Sequence, residues 1–171
     1  MTVTILGRSG GIEPVTRRGA KPGDFIFVSD PLGGSILGRH MTFEPRVALG
    51  RKLAEEHFPS AMIDLSDGLS RDLAHICRQS GVGAIVEAHA IPVHANAVLL
   101  ARDGRSALQH ALNDGEDYEL LLTSACAGHS GLIRIGQITA DPAILLRTPG
   151  SSPDLAATIS PLNPQAWEHR L

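Results

Sequence analysis

"SAMIDLSDGLSRDL" (residues 60–73) runs from an apolar stretch into Asp64, Ser66 and Asp67, then Gly68, then a new period. "AMIDL" (61–65) is short and almost wholly apolar, the pattern of a strand buried on both faces. From Leu69 onward Leu69, Leu73, Ile76 and Cys77 fall at i, i+4, i+7 and i+8, and Gly81 suits a left-handed C-cap, so a helix spans this run. The stretch is therefore a strand-to-helix junction, where α/β proteins turn unpaired backbone N–H groups toward ligands. Two roles are open to its polar residues. Ser66 or Asp67 can cap the helix, worth about 1 kcal/mol. Alternatively Asp64, costly to bury unpaired between Ile63 and Leu65, and Asp67 hold a cation such as Mg2+, which binds through one or two carboxylates together with substrate phosphates.

Outward from this junction, strand and helix signals alternate without internal repeat. Strands are expected at 2–7, 24–30, 83–88, 117–125, 132–138 and 143–148. Helices are expected at 35–41, 44–58, 95–104 and 106–112. In the second helix Pro45 sits in the first turn, and Val47, Leu49, Leu53 and Ala54 form a buried stripe. The tail from Pro149, rich in Pro and Ser, would read as a loose end but for Trp167 near its close.

The chain has 171 residues, 43% of them apolar, enough for one domain over 1–171 with its own core. Fifteen basic and 18 acidic residues leave a net charge of −3, and without a basic run or aromatic-basic stripe no nucleic-acid partner is expected. No membrane span or secretory signal is read, which predicts a cytoplasmic protein. Cys77 and Cys126 lack CxxC spacing and read as free thiols, and the eight histidines form no HExxH. A second acidic cluster, Asp114, Glu116 and Asp117 in "ALNDGEDYELLL" (111–122), reads either as a solvated turn or, beside the first junction, as part of a metal-phosphate or cationic-ligand surface.

Four ordered motifs, "RRGAKPGD", "IDLSDGLSRDLAHI", "GEDYELLL" and the closing "AWEHRL", together resemble the thiamine-monophosphate kinase family of the aminoimidazole ribonucleotide synthetase-like superfamily. Related hydrogenase-maturation and selenophosphate enzymes carry other glycine-rich signatures at these places. The resemblance implies an α+β fold like the carboxyl-terminal domain of aminoimidazole ribonucleotide synthetase, a three-layer α/β/α arrangement around a mixed sheet with partial ferredoxin-like topology. It also implies an amino-terminal ATP and metal domain that these 171 residues do not include, and a homodimer when full length.

Residue by residue, the resemblance implies that Asp64 and Asp67 bind Mg2+, that Ser66 contacts ATP, and that Arg17 meets the ATP phosphates, a role Arg18 could exchange with it. An Arg fork suits phosphate because it engages two oxygens at once. Glu116 would contact the cationic substrate, thiamine monophosphate, and Trp167 would pack on its ring by a cation–π contact, the other reading of Trp167 being a carboxyl-terminal anchor. Glu168, Arg170 and "LGGS" (32–35) depart from the family pattern. The implied reaction is direct transfer of the ATP γ-phosphoryl group to thiamine monophosphate, the fragment alone being inactive. A non-catalytic nucleotide-binding or scaffolding domain, or a phosphotransferase with another substrate, are the other readings.

Overall fold

The computed structural model describes residues 4, 6, 10–150 and 156–164. Among them, seven strands form one sheet: β1 (Phe25–Val28), β2 (Ala61–Asp64), β3 (Gly83–Glu87), β4 (Leu120–Ser124), β5 (Ile133–Thr139), β6 (Ile144–Thr148) and β7 (Thr158–Pro161). Their order is β2-β4-β1-β5-β3-β6-β7. The β3–β6 pair is parallel and the other five strand pairs are antiparallel. The helices are α1 (Val47–Glu55), α2 (Leu69–Ser80), α3 (Ala95–Leu100) and α4 (Ala107–Asn113).

Alternation along the strands divides the apolar side chains between two cores. Ile26, Val28, Ala61 and Leu121 join Leu69, Leu73 and Ile76 of α2 and Leu112 of α4 in the larger core. Phe27 and Leu122 pack with Leu53 of α1 in the smaller one, with Leu49 and Met62 against it. Helices on both faces of a mixed sheet give the expected three-layer α/β/α architecture.

Several local expectations change. Of the strand expected at 2–7, only residues 4 and 6 are described, neither in a strand; the rest lies outside the described residues. The helix expected at 35–41 is two successive 3-10 turns, because Gly34 (φ 75°) and Gly38 (φ 113°) are left-handed and break the ladder. Val47 opens α1 73% exposed, outside the stripe assigned to it. The Pro- and Ser-rich tail contains β7, antiparallel to β6. β2 lies at the sheet edge; Ala61 and Ile63 pack on the larger core and Met62 on the smaller one, but Met62 and Ile63 are only half-buried and Asp64 at its end is exposed. No helix of the described residues is long and apolar enough to cross a membrane. Both cysteines are free, and burial pushes the Cys77 thiol up to about 12.

Candidate functional site

The two acidic motifs meet backbone to backbone. Leu65 N–H donates to the Glu119 carbonyl (2.7 Å), Tyr118 N–H to the Leu65 carbonyl (2.8 Å) and Glu116 N–H to the Ser66 carbonyl (2.8 Å). Gly115 (φ 71°) makes this approach possible: a Cβ there would stand 2.6 Å from the Ser66 carbonyl oxygen. Glu116 and Tyr118 are themselves held at φ 53°, a left-handed conformation that side-chain-bearing residues seldom adopt and that costs on the order of 1–3 kcal/mol.

Neither Ser66 nor Asp67 caps α2. The N-cap is Gly68 (φ 108°), with no side-chain cap. Asp72, in the first turn, reaches back instead and accepts the Asp67 N–H (3.0 Å) and the Gly68 N–H (3.1 Å). This frees the Asp67 carboxylate, whose partner is Arg71 at 3.4 Å. Burial pushes the Asp72 carboxyl up to about 6 against those two N–H bonds, helped by the charges of Asp67 and Asp64. Burial, then Arg78 and Arg17, holds His75 below its usual value. Ligand atoms of Asp67, Asp72 and His75 lie within 4.8 Å of one another, a donor set that can take a cation. Sequence reading assigned only Asp67 of the three. The i, i+3 spacing of Asp72 and His75 on α2 was the available signal.

These residues line one cleft of about 500 Å3, which brings Arg17, Asp64, Ser66 and Asp67 together. Arg18 is not in its lining. The 15–18 segment reaches the cleft along the free edge of β2, where the Thr16 carbonyl accepts the Met62 N–H (2.9 Å). Beyond it, Gly19 and Ala20 donate to Ser80 Oγ (3.2 Å each). Gly19 (φ 135°) lies so close to the Ser60 carbonyl that a Cβ would collide with it. Asp64 has no hydrogen bond or ion pair among the described residues. The Ile63–Leu65 context suggested a buried carboxylate, but at a sheet edge it faces the cleft in water.

The rest of the second cluster is structural. Asp117 is 2% exposed and accepts the Gly33 N–H (2.9 Å) and Ser35 Oγ–H (2.8 Å), with Arg39 Nη2 at 3.4 Å. Asp114 accepts the Gly34 N–H (3.3 Å) and Arg105 Nη1–H (2.9 Å). They fasten the "LGGS" loop, and a solvated turn is excluded for them. Glu116 lines a separate cavity of about 220 Å3 with Ile36, Leu100 and Arg105, whose lining includes neither Asp64 nor Asp67. Trp167 lies outside the described residues.

Burial pushes the Asp117 carboxyl up to about 6, against the Ser35, Gly33 and Arg39 contacts. Its ordinary value is about 3.9, so between these values the folded chain binds the extra proton and stability falls as pH rises through the window. Asp117→Asn removes that contribution: its urea midpoint loses less between pH 4 and 6.5 than that of the unmodified chain. Equal slopes would show that Asp117 titrates normally.

No family model matches the chain. It is 44% identical over 126 residues to the thiamine-monophosphate kinase of Rhodopirellula baltica, covering 73% of this chain and 39% of that protein. To the Salmonella typhimurium enzyme of that name it is 37% identical over 160 residues (81% and 48%), and to the Escherichia coli K12 enzyme 34% over 173 residues (82% and 52%). The chain thus spans about half the length of the curated relatives it matches, or less. Among solved structures, the thiamine-monophosphate kinase of Stenotrophomonas maltophilia K279a superposes with a TM-score of 0.65 at 31% identity, over 77% of this chain and 52% of that one. A structure described as AaThiL complexed with AMPPCP and TMP gives 0.65 at 24% identity (84% and 53%). E. coli HypE, a hydrogenase maturation protein, gives 0.64 at 18% (90% and 53%). The last two are likenesses of fold.

Proposed function

Because the chain belongs to the thiamine-monophosphate kinase family, we propose that it forms the carboxyl-terminal half of a cytoplasmic, ATP-dependent kinase converting thiamine monophosphate to thiamine diphosphate. The observation that carries this reading is the meeting of Arg17, Asp64, Ser66 and Asp67 in one cleft at the β2–α2 junction. A phosphate oxygen of thiamine monophosphate attacks the γ-phosphorus of ATP. The bond from that phosphorus to the bridging oxygen breaks, and ADP leaves with the electron pair. Positioning and electrostatics supply most of the catalysis in such transfers.

Arg17 engages phosphate oxygens with its planar fork, and Ser66 offers a hydroxyl beside them. Asp64 and Asp67 fit Mg2+: Asp64 is unpartnered among the described residues, and Asp67 shares a 4.8 Å donor cluster with Asp72 and His75. Bound there, Mg2+ would supply positive charge between two polyanions. Glu116 and Trp167 are proposed to contact the thiamine moiety. An amino-terminal half would complete the ATP and metal sites, in a homodimer.

Arg17 and Arg18 separate under test. Arg17→Ala weakens Mg2+·AMPPCP binding roughly tenfold, as expected for a lost charge-assisted pair of about 1.5 kcal/mol, whereas Arg18→Ala changes it less than twofold. Ligand-observed NMR at millimolar nucleotide reads both. Equal losses would contradict the assignment of the phosphate contact to Arg17.

A further inference from the structure

α1 covers only part of the sheet face on which it packs. Its core partners Phe27, Met62 and Leu122 come from β1, β2 and β4, and the connection from β4 to β5, 125–132, contains no helix. α2 and α4 pack on the opposite face, and α3 on α4. Over β5, β3 and β6 the face of α1 therefore has no helix above it among the described residues. A cavity of about 270 Å3 lies there, close to the lower end of small-molecule sites. Phe25 and Ile85 give it apolar lining, and Arg134, Arg147 and Glu87 bring charge to it, with His89 beside them.

A β-bulge sets the lining. Phe25 and Phe27, two residues apart, share one sheet face, yet their partners on β5 are Gln137 and Arg134, three residues apart, because the register shifts between Ile26 and Phe27. The extra residue puts Arg134 and Gln137 on the same face, while Ile135 and Ile138 both reach the larger core. In a regular strand, side chains three residues apart point to opposite faces, and re-aiming one of them is what a bulge does. Gly136 belongs to this irregularity: a Cβ on it would collide with the Ile85 carbonyl.

Two guanidinium groups stand in the cavity against one carboxylate. Arg147 Nη1 donates to Glu87 Oε1 (2.7 Å), which neutralises that pair. Arg134 has no hydrogen bond or ion pair among the described residues, and its guanidinium carbon lies 5.0 Å from the centre of the Phe25 ring. Stacking on the ring occupies the plane of the guanidinium and leaves its N–H fork for an acceptor. A fork of this kind suits a carboxylate or a phosphate group. A cation is repelled here, and an uncharged apolar ligand leaves the fork unused.

We propose that this cavity binds a small organic anion, with its carboxylate or phosphate group on Arg134 and its apolar body against Phe25 and Ile85. The cavity shares no lining residue with the cleft of Arg17, Asp64, Ser66 and Asp67, so it is a second ligand site and stands or falls apart from the kinase reading.

Benzoate and phenyl phosphate carry the two anionic head groups on one apolar body, and benzylamine is the cationic control. Each is titrated into the nitrogen-labelled 171-residue chain and followed in amide correlation spectra, with circular dichroism reporting the fold. At least one of the two anions shifts the amides of 25, 85–87 and 134–137 saturably, its head group naming the class of ligand, and benzylamine does not. Arg134→Gln, at an exposed side chain, weakens that binding at least about fivefold, as expected for a lost charge-assisted contact. Arg147→Gln, which turns Glu87 against the anion, weakens it as well. The proposal fails if neither anion shifts these amides, if benzylamine binds as tightly, if the shifts cluster around Arg17 and Ser66 instead, or if folded Arg134→Gln binds as the unmodified chain does. It fails equally if the same amides move with protein concentration alone, which would give this face to a second copy of the chain.

Discussion

Asp64→Asn and Asp67→Asn each lower phosphoryl transfer by more than ~10²-fold, the scale on which loss of one electrostatic contact to a transition state is felt, and leave the fold intact. The second half of this expectation comes from the structure. The Asp64 carboxylate holds nothing among the described residues, and that of Asp67 faces Arg71 at 3.4 Å with both side chains close to half exposed, an ion pair worth about 0–1 kcal/mol. The α2 N-terminus is fastened by Asp72 and Gly68 instead, so an isosteric Asn removes one negative charge and little else. Steady-state kinetics at saturating Mg2+, in a protein that joins this chain to the amino-terminal half of a relative, reads the effect. Near-normal rates in both variants would remove the metal assignment.

The 171-residue chain by itself binds Mg2+·ATP at best weakly and does not turn over. Mg2+ requires near-octahedral oxygen coordination and usually keeps several waters. Asp64 and Asp67 at an open cleft supply too few ligands and too little charge for ions shared between two polyanions. The chain matches 39% to 52% of the length of its curated relatives, which leaves room for the remaining donors on a second half. Calorimetry with ATP and Mg2+ checks the binding: a dissociation constant in the micromolar range for the chain alone would mean that the site is already complete.

What the sequence made legible was local. The change of period at Leu69 located the β2–α2 junction, and the three polar residues before Gly68 stand together in the cleft. What it hid depended on distant partners. Asp117 reads as a turn residue because the Gly33 N–H and the Ser35 hydroxyl that bury it are 84 and 82 residues away. The glycines of "LGGS" look like a departure from pattern, yet Gly33 and Gly34 pack directly on the backbone of Ala111 and Ala97, where no side chain fits. β7 is composed like a tail and becomes a strand only because the edge of β6 offers it a ladder. The sequence assigns Asp72 no role, and only the returning 67–68 backbone shows it as the carboxylate that sets the junction.

The account's central claim, that this chain presents half of a composite phosphoryl-transfer site, is tested most directly by an ADP-release assay on the purified 171-residue chain with ATP, Mg2+ and thiamine monophosphate. The predicted result is no ADP above the background hydrolysis of ATP. Turnover at an ordinary enzyme rate, roughly 1 per second or more, would show that Arg17, Asp64, Ser66 and Asp67 need no second half.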